Sequence, residues 1–240
     1  MTKAEEKEFK YPKITFTCTT FNRLPLFIES MNSFLDTCQD KDLISEWLVG
    51  DDGSEKSQIF QMQRRYPFIK VLTNNKVGQH SNLNSLWSHV KTEWFFHSED
   101  DWLYLKKDNY IRKMLDIVLE NENIKNVTLR NWTGGEIYKT NSGILFNVHK
   151  YTPDISHEEN LKTNGKWFGY SIGVSLQHKP TLNILGEYCD LTSPKTRVWD
   201  KPIAAKYLCL GFKTANLCEG IYVKHLGEYK SAYNIRRRIK

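Results

Sequence analysis

Ile14-Thr15-Phe16-Thr17-Cys18-Thr19 runs straight into Thr20-Phe21-Asn22-Arg23, an apolar, β-branched segment that breaks into a polar loop. That composition predicts a buried strand over residues 14–19. Past the loop, Leu24, Phe27, Ile28, Met31, Phe34 and Leu35 recur at helical spacing, so an amphipathic helix follows. Trp47-Leu48-Val49-Gly50 reads as a second strand opening into Asp51-Asp52-Gly53-Ser54, which completes a β-α-β unit. The alternation continues with a helix near 55–65, a strand Ile69–Thr73, a helix near 80–90 and a strand Glu93–His97. Strands alternating with helices predict a parallel sheet covered on both faces. Ligands of such sheets bind beyond the carboxyl ends of the strands. Polar loops fall at each of those ends: residues 19–23, Asp51 to Ser54, Asn74-Asn75-Lys76-Val77-Gly78, and Ser98-Glu99-Asp100-Asp101-Trp102.

Beyond residue 123 the pattern loosens into a strand near 124–130, a β-hairpin around Thr140–Phe146 and an aromatic stretch Trp167-Phe168-Gly169-Tyr170. Asp200 to Leu210 reads as a helix closed by Gly211, where glycine takes the left-handed conformation. The expected organisation is one α/β domain over 13–227, with a donor half 13–105 and an acceptor half 106–227. A polar leader 1–12 precedes it and a basic tail 228–240 follows it.

A 240-residue chain with 40% hydrophobic residues builds a packed core, which argues against a disordered chain. Its longest apolar runs, such as Trp94-Phe95-Phe96, fall far short of the roughly 20 residues of a membrane span. The charged amino terminus has no apolar export signal, so the expected compartment is the cytoplasm. Five cysteines, Cys18, Cys38, Cys189, Cys209 and Cys218, lack a Cys-x-x-Cys pair, and the expectation is reduced, buried thiols rather than a zinc ribbon or disulfide framework. Without a secretory signal, the sequons at Asn126 and Asn131 are chance matches. Part of the net charge of +6 sits in Arg236-Arg237-Arg238-Ile239-Lys240, where it offers either a solvated end or a peripheral contact with an anionic membrane.

Three adjacent carboxylates, Glu99-Asp100-Asp101, repel one another unless something neutralises them. A hard divalent cation does so with oxygen ligands and substrate phosphates; a solvated turn or a helix start is the plainer account. Asp51-Asp52-Gly53-Ser54 fits a tight turn and also fits recognition of a base or ribose. Phe21, Asn22 and Arg23 fit a helix cap and also a base stack with a phosphate contact.

In combination these motifs resemble the nucleotide-sugar-dependent glycosyltransferases of GT-A fold, family 2 type. That family's series is matched in order by Thr19-Thr20-Phe21-Asn22-Arg23, Asp51 to Ser54, Asn75-Lys76-Val77-Gly78 with Asn82, and Glu99-Asp100-Asp101, over about the first 105 residues. The resemblance implies a Rossmann-like, mainly parallel mixed sheet flanked by helices. It also implies a nucleoside diphosphate sugar donor, UDP-linked by family habit, and a glycan or other hydroxyl acceptor. Thr19, Phe21, Asn22, Arg23, Asp51, Asp52, Gly78, Asn82, Glu99 and Asp100 become donor-binding candidates. Mn²⁺ or Mg²⁺ would be held by Asp101 and by His225, the latter from the segment Tyr222-Val223-Lys224-His225-Leu226-Gly227. Counting back from Gly211-Phe212-Lys213 places Asp200 on the family's general base for inverting transfer, with Trp199 and Pro202 standing where the family has carboxylates. Trp102 is the expected sugar or acceptor contact. Two other readings stay open: a catalytically silent sugar-nucleotide or glycan-binding module, and a nucleic-acid binder motivated by the basic balance. The acidic loops oppose the second, and no nucleic-acid partner is expected.

Overall fold

The structure, a computed structural model, describes residues 11–132, 135–149, 169–170, 172–188 and 201–227. The expected first strand is β1 (Ile14–Thr20), buried along its whole length. Helix α1 (Leu24–Thr37) follows, starting with a proline in its first turn, and buries Leu26, Phe27, Met31 and Phe34, one stripe at helical spacing. After a short 3₁₀ turn come β2 (Ile44–Asp51), α2 (Lys56–Arg65), β3 (Ile69–Thr73), α3 (Gln79–Ser88) and β4 (Trp94–Glu99). Residues 13–105 therefore alternate as their sequence predicts.

The remainder comprises β5 (Trp102–Tyr104), α4 (Tyr110–Glu120), β6 (Ile124–Thr128), β7 (Gly135–Lys139), β8 (Leu145–His149), β9 (Ser175–His178), α5 (Lys179–Leu185), α6 (Lys201–Cys209), β10 (Lys213–Leu217) and β11 (Val223–His225). Among the described residues nine strands form one sheet in the order β3-β2-β1-β4-β9-β6-β10-β8-β7, and β5 pairs with β11 in a separate ribbon. The hairpin expected around residues 140–146 is β7–β8.

The sheet is mixed, as the resemblance implies: β9 lies antiparallel between β4 and β6, and β8 is antiparallel to β10 and β7. These reversals leave β6 and β10 parallel to β4, so the sheet is mixed and mainly parallel. The carboxyl end of β6 consequently opens on the same edge as the loops after β1, β2, β3 and β4. Register sharpens that edge: Thr20 pairs with Asp51, Asp51 with Thr73, and Thr19 with Glu99.

Both faces are covered. Phe16, Phe34, Phe96, Tyr104 and Tyr110 pack on one side, with the Phe34 ring 4.7 Å from Phe16 and 5.0 Å from Tyr104. Leu48, Leu83, Leu86, Trp87, Phe95 and Tyr207 fill the other. No helix among the described residues is long and apolar enough to cross a membrane. Cys18 and Cys38 are buried as expected, but Cys209 and Cys218 are exposed, one ending α6 and one following β10, where the chain turns into solvent. Cys189 and the tail lie outside the described residues. Asn126 is fully buried within β6, in keeping with a chance sequon.

A polar clasp ties β11 to α4. Lys113 pairs with Asp108 at 2.7 Å and with Glu219, Tyr222 donates its hydroxyl to Asp108 at 3.1 Å, and Lys106 donates to the Glu219 carbonyl at 2.6 Å. Burial raises the Asp108 carboxyl, but hydrogen bonds from Lys113, the Asn109 N–H and Tyr222, with the charge of Lys113, hold it below its ordinary value. A depressed carboxyl contributes stability that is complete above its unfolded value and is lost as pH falls through the folded one. Chemical denaturation between about pH 6 and about pH 3 is therefore expected to show stability falling on the acid side, and Asp108→Asn to lower stability at neutral pH while flattening that limb. Phe34→Ala is expected to cost about 3–5 kcal/mol in the same assay, because its ring leaves a cavity in the aromatic cluster.

Candidate active site

The acidic triplet straddles the end of β4 and the start of β5. Asp100 and Asp101 are 4% and 8% exposed. Backbone bonds fix the turn: Asp100 N–H donates to the Thr19 carbonyl at 3.1 Å, and Leu226 N–H donates to the Asp101 carbonyl at 2.7 Å. Each of the four carboxylate oxygens has a partner. Thr20 Oγ1 donates to Asp100 Oδ2 at 2.8 Å. Arg23 Nη1 bridges Asp100 Oδ1 at 3.2 Å and Asp101 Oδ2 at 2.8 Å. His225 Nε2 stands 3.3 Å from Asp101 Oδ1.

These contacts divide the acids. Burial pushes Asp100 up to about 7 against the pull of Arg23. Burial also acts upward on Asp101, but the hydrogen bond and charge of His225, with those of Arg23, hold it below the usual carboxylate range. Glu99 is raised by burial and then by the Asp101 charge, and the hydrogen bond to Asp101 raises His225.

β5 pairs with β11 so that Trp102 faces His225. The Trp102 indole donates to Glu99 Oε2 at 3.1 Å, and its ring centre lies 4.7 Å from that of His225. Gln79 donates to the other Glu99 oxygen at 3.2 Å. Trp102 is 6% exposed, which corrects its expected role: with His225 beside its ring and the Arg130 guanidinium over it, it is covered and orients Glu99 and His225 rather than meeting a sugar. Gly227 closes the wall. A Cβ there would lie 2.2 Å from Asp101 Oδ2, so only glycine lets the chain pass the carboxylate.

Most donor-binding candidates sit on the same edge but spend their polar atoms on the loops themselves. Asp51 accepts from Gly53 N–H at 3.1 Å, Ser54 N–H at 2.8 Å and the Ser54 hydroxyl. Asp52 accepts from Val77 N–H at 2.8 Å and Gly78 N–H at 3.1 Å. Asn22, in the left-handed region at φ 51°, donates its N–H to Ser54 Oγ at 2.7 Å and accepts from Glu55 N–H at 3.2 Å. Asn82 donates to the Gly50 carbonyl at 3.0 Å and accepts from Asn74 at 2.8 Å, and Gly78 enters α3 at φ 90°. Thr19 is buried beside Glu99, whereas the half-exposed Phe21 ring lies 6.0 Å from Lys76 Nζ and faces the loops. Asp200, Trp167, Phe168 and Trp199 lie outside the described residues.

Arg130 is the neighbour that sequence reasoning missed. Two residues beyond β6 and exposed, it carries its guanidinium 5.4 Å from the centre of the Trp102 ring. No motif marks it, since only the reversed strand β9 brings the end of β6 to this edge.

The donor set suits a divalent cation. Two ligands at right angles about an ion with bonds of about 2.1 Å stand about 3 Å apart, close to the observed 3.3 Å between Asp101 and His225. No cluster of three or more metal-ligating side chains occurs among the described residues, so an ion here would complete its shell with oxygens of a bound anion. Arg23 is the cation that balances the two aspartates in this arrangement.

The family model described as Glycosyl transferase family 2 matches residues 16–176. Among solved structures, the mannosyltransferase PcManGT from Pyrobaculum calidifontis, in complex with GDP-Man and Mn²⁺, is similar with TM-score 0.62 and 16% identity, covering 95% of this chain and 61% of that one. S. aureus TarS 1–349 gives TM-score 0.59 and 15% identity over 95% of this chain and 64% of that one. GalNAc-T7 with UDP, GalNAc and Mn²⁺ gives 0.60 and 12% over 88% and 43%. The chain thus spans less than two thirds of each solved chain, and these likenesses are of fold. No curated protein matches it in sequence.

Two substitutions test this geometry through Mn²⁺ titration followed by electron paramagnetic resonance. Arg23→Gln is expected to lower the melting temperature of the metal-free protein and to tighten Mn²⁺ binding about tenfold, because the competing guanidinium is gone. Gly227→Ala is expected to weaken Mn²⁺ binding by displacing Asp101, with far-UV circular dichroism unchanged.

Proposed function

The chain belongs to glycosyl transferase family 2, and from that membership we propose that it transfers a sugar from a nucleoside diphosphate donor to an acceptor hydroxyl. The observation that carries this reading is the convergence of Asp101 and His225, 3.3 Å apart, at the strand edge where Arg23 and Asp100 also meet. Neighbours of the same fold solved with GDP-Man and Mn²⁺, and with UDP and Mn²⁺, support the donor class and the metal.

Asp101 and His225 would hold Mn²⁺ or Mg²⁺, whose chemistry when bound is to offset charge on the departing diphosphate. Arg23, which bridges the two aspartates, would add positive charge where the leaving group develops negative charge. Phe21 offers a flat ring for a base, while Asp51, Asp52, Asn22, Gly78 and Asn82 shape the loops that receive it. Thr19 supports the strand end, and Glu99 and Asp100 face the donor's ribose and sugar. For the acceptor, the family resemblance assigns Asp200 to take the hydroxyl proton as attack proceeds opposite the diphosphate, inverting the anomeric centre. UDP is the proposed nucleotide.

A thermal-shift screen of UDP, GDP, dTDP and CMP, each with and without Mn²⁺, reads the donor site, since a ligand of the native state raises apparent stability. One nucleotide is expected to raise the melting temperature by several degrees only with Mn²⁺, and Asp101→Ala to abolish the rise. No shift with any nucleotide overturns the donor reading. With the matching sugar nucleotide and an acceptor, Asp200→Asn is expected to retain the shift and lose turnover. Retained turnover, or a product with retained anomeric configuration by NMR, removes Asp200 from the base's role.

A further inference from the structure

Arg23 and Arg130 both lie near the acidic motif, Arg23 on its aspartates and Arg130 over Trp102, and differ in their commitments. Arg23 is held by Asp100 and Asp101. Arg130 forms no ion pair with a carboxylate among the described residues, although its charge acts on Glu99. Its backbone is fixed: Leu129 N–H donates to the Val174 carbonyl at 3.0 Å, and Arg130 N–H donates to Thr128 Oγ1 at 3.1 Å. The side chain is exposed and lies over the buried Trp102 ring at 5.4 Å, and Trp102 is itself anchored to Glu99. A guanidinium supported on a ring face keeps its in-plane N–H edge free, and that fork matches the oxygens of a phosphate. Its charge reaches both Glu99 and His225, so it lies within the field of the site. An oxyanion approaching three clustered carboxylates is repelled unless a cation meets it at the rim, and Arg130 is the cation placed there.

We propose that Arg130 recognises a phosphate group at the β6 side of this site, carried either by the donor as its diphosphate or by the second substrate. The inference rests on the donor reading above and adds to it a ligand class for a residue outside the family motifs. The two sources separate by calorimetry on the parent, Arg130→Gln and Arg130→Lys. One titration compares the nucleoside diphosphate selected by the thermal screen with its parent nucleoside, in Mn²⁺. A second titrates inorganic phosphate with and without saturating nucleotide.

A loss of about tenfold in nucleoside diphosphate affinity in Arg130→Gln, partly restored in Arg130→Lys, with nucleoside affinity unchanged, assigns the residue to the donor diphosphate. Unchanged nucleotide affinity with phosphate binding lost only in Arg130→Gln assigns it to the second substrate. Arg130→Gln matching the parent in both titrations overturns the proposal while leaving the donor reading intact. A parent that binds no nucleotide overturns the donor reading, and the phosphate titration without nucleotide then decides Arg130 alone: binding in the parent lost in Arg130→Gln upholds it, and no difference overturns it. Melting curves without ligand are expected to coincide, because the side chain is exposed.

Discussion

Two adjacent carboxylates taken almost wholly out of water are the constraint from which the arrangement follows. A buried carboxylate without a partner costs several kcal/mol, and a second one beside it raises the cost. Asp100 and Asp101 meet that cost with one donor per oxygen: Thr20, Arg23, His225 and Arg23 again. Each donor comes from a different part of the chain. Thr20 ends β1, Arg23 precedes α1 and His225 ends β11, so the acids can be satisfied only when strand edge, first helix and terminal ribbon are assembled together.

Much of the second half serves to deliver one imidazole. β11 is three residues long and, among the described residues, pairs only with β5, too little to fix a side chain by itself. The clasp of Lys106, Asp108, Lys113, Glu219 and Tyr222 secures its entry, and the Leu226 N–H bonded to Asp101 secures its exit. Between them Trp102 supports the His225 ring while holding Glu99. Gly227 completes the approach by having no side chain where Asp101 lies. A rigid supporting shell of this kind keeps ligand groups at usable separations before any ligand arrives.

Local patterns disclosed the first half of the chain because there each strand and helix carries its own periodicity: β1, α1, β2, α2, β3 and α3 fall where their apolar spacing puts them. The triplet at residues 99–101 and the histidine at 225 were legible as residue types in a familiar order, and the fold brings them into contact. Less visible was what depends on long-range pairing. Ser175–His178 is only four residues long and has no alternation to announce it, yet its reversal sets the direction of β6 and the position of Arg130. Trp102 misled for a related reason, since an aromatic after an acidic loop looks exposed until the distant β11 covers it. Asp51, Asp52, Asn22 and Asn82 were found by motif, but a motif does not distinguish a carboxylate or amide that meets a ligand from one that ties two loops.

That distinction points to a division of labour within the site. Backbone amides of residues 53, 54, 77 and 78 are claimed by Asp51 and Asp52, so the loops are braced before a ligand binds and little ordering cost remains. Arg23, by contrast, is held only by charges that another cation can take over. The site therefore combines fixed loops with one exchangeable ion pair. On the proposed function, a divalent cation held by Asp101 and His225 would take over the charge balance that Arg23 supplies at the aspartates and leave that guanidinium to meet the diphosphate. Metal and anion would then favour one another through Arg23, each lowering the cost of accommodating the other, and such coupling is reciprocal by necessity.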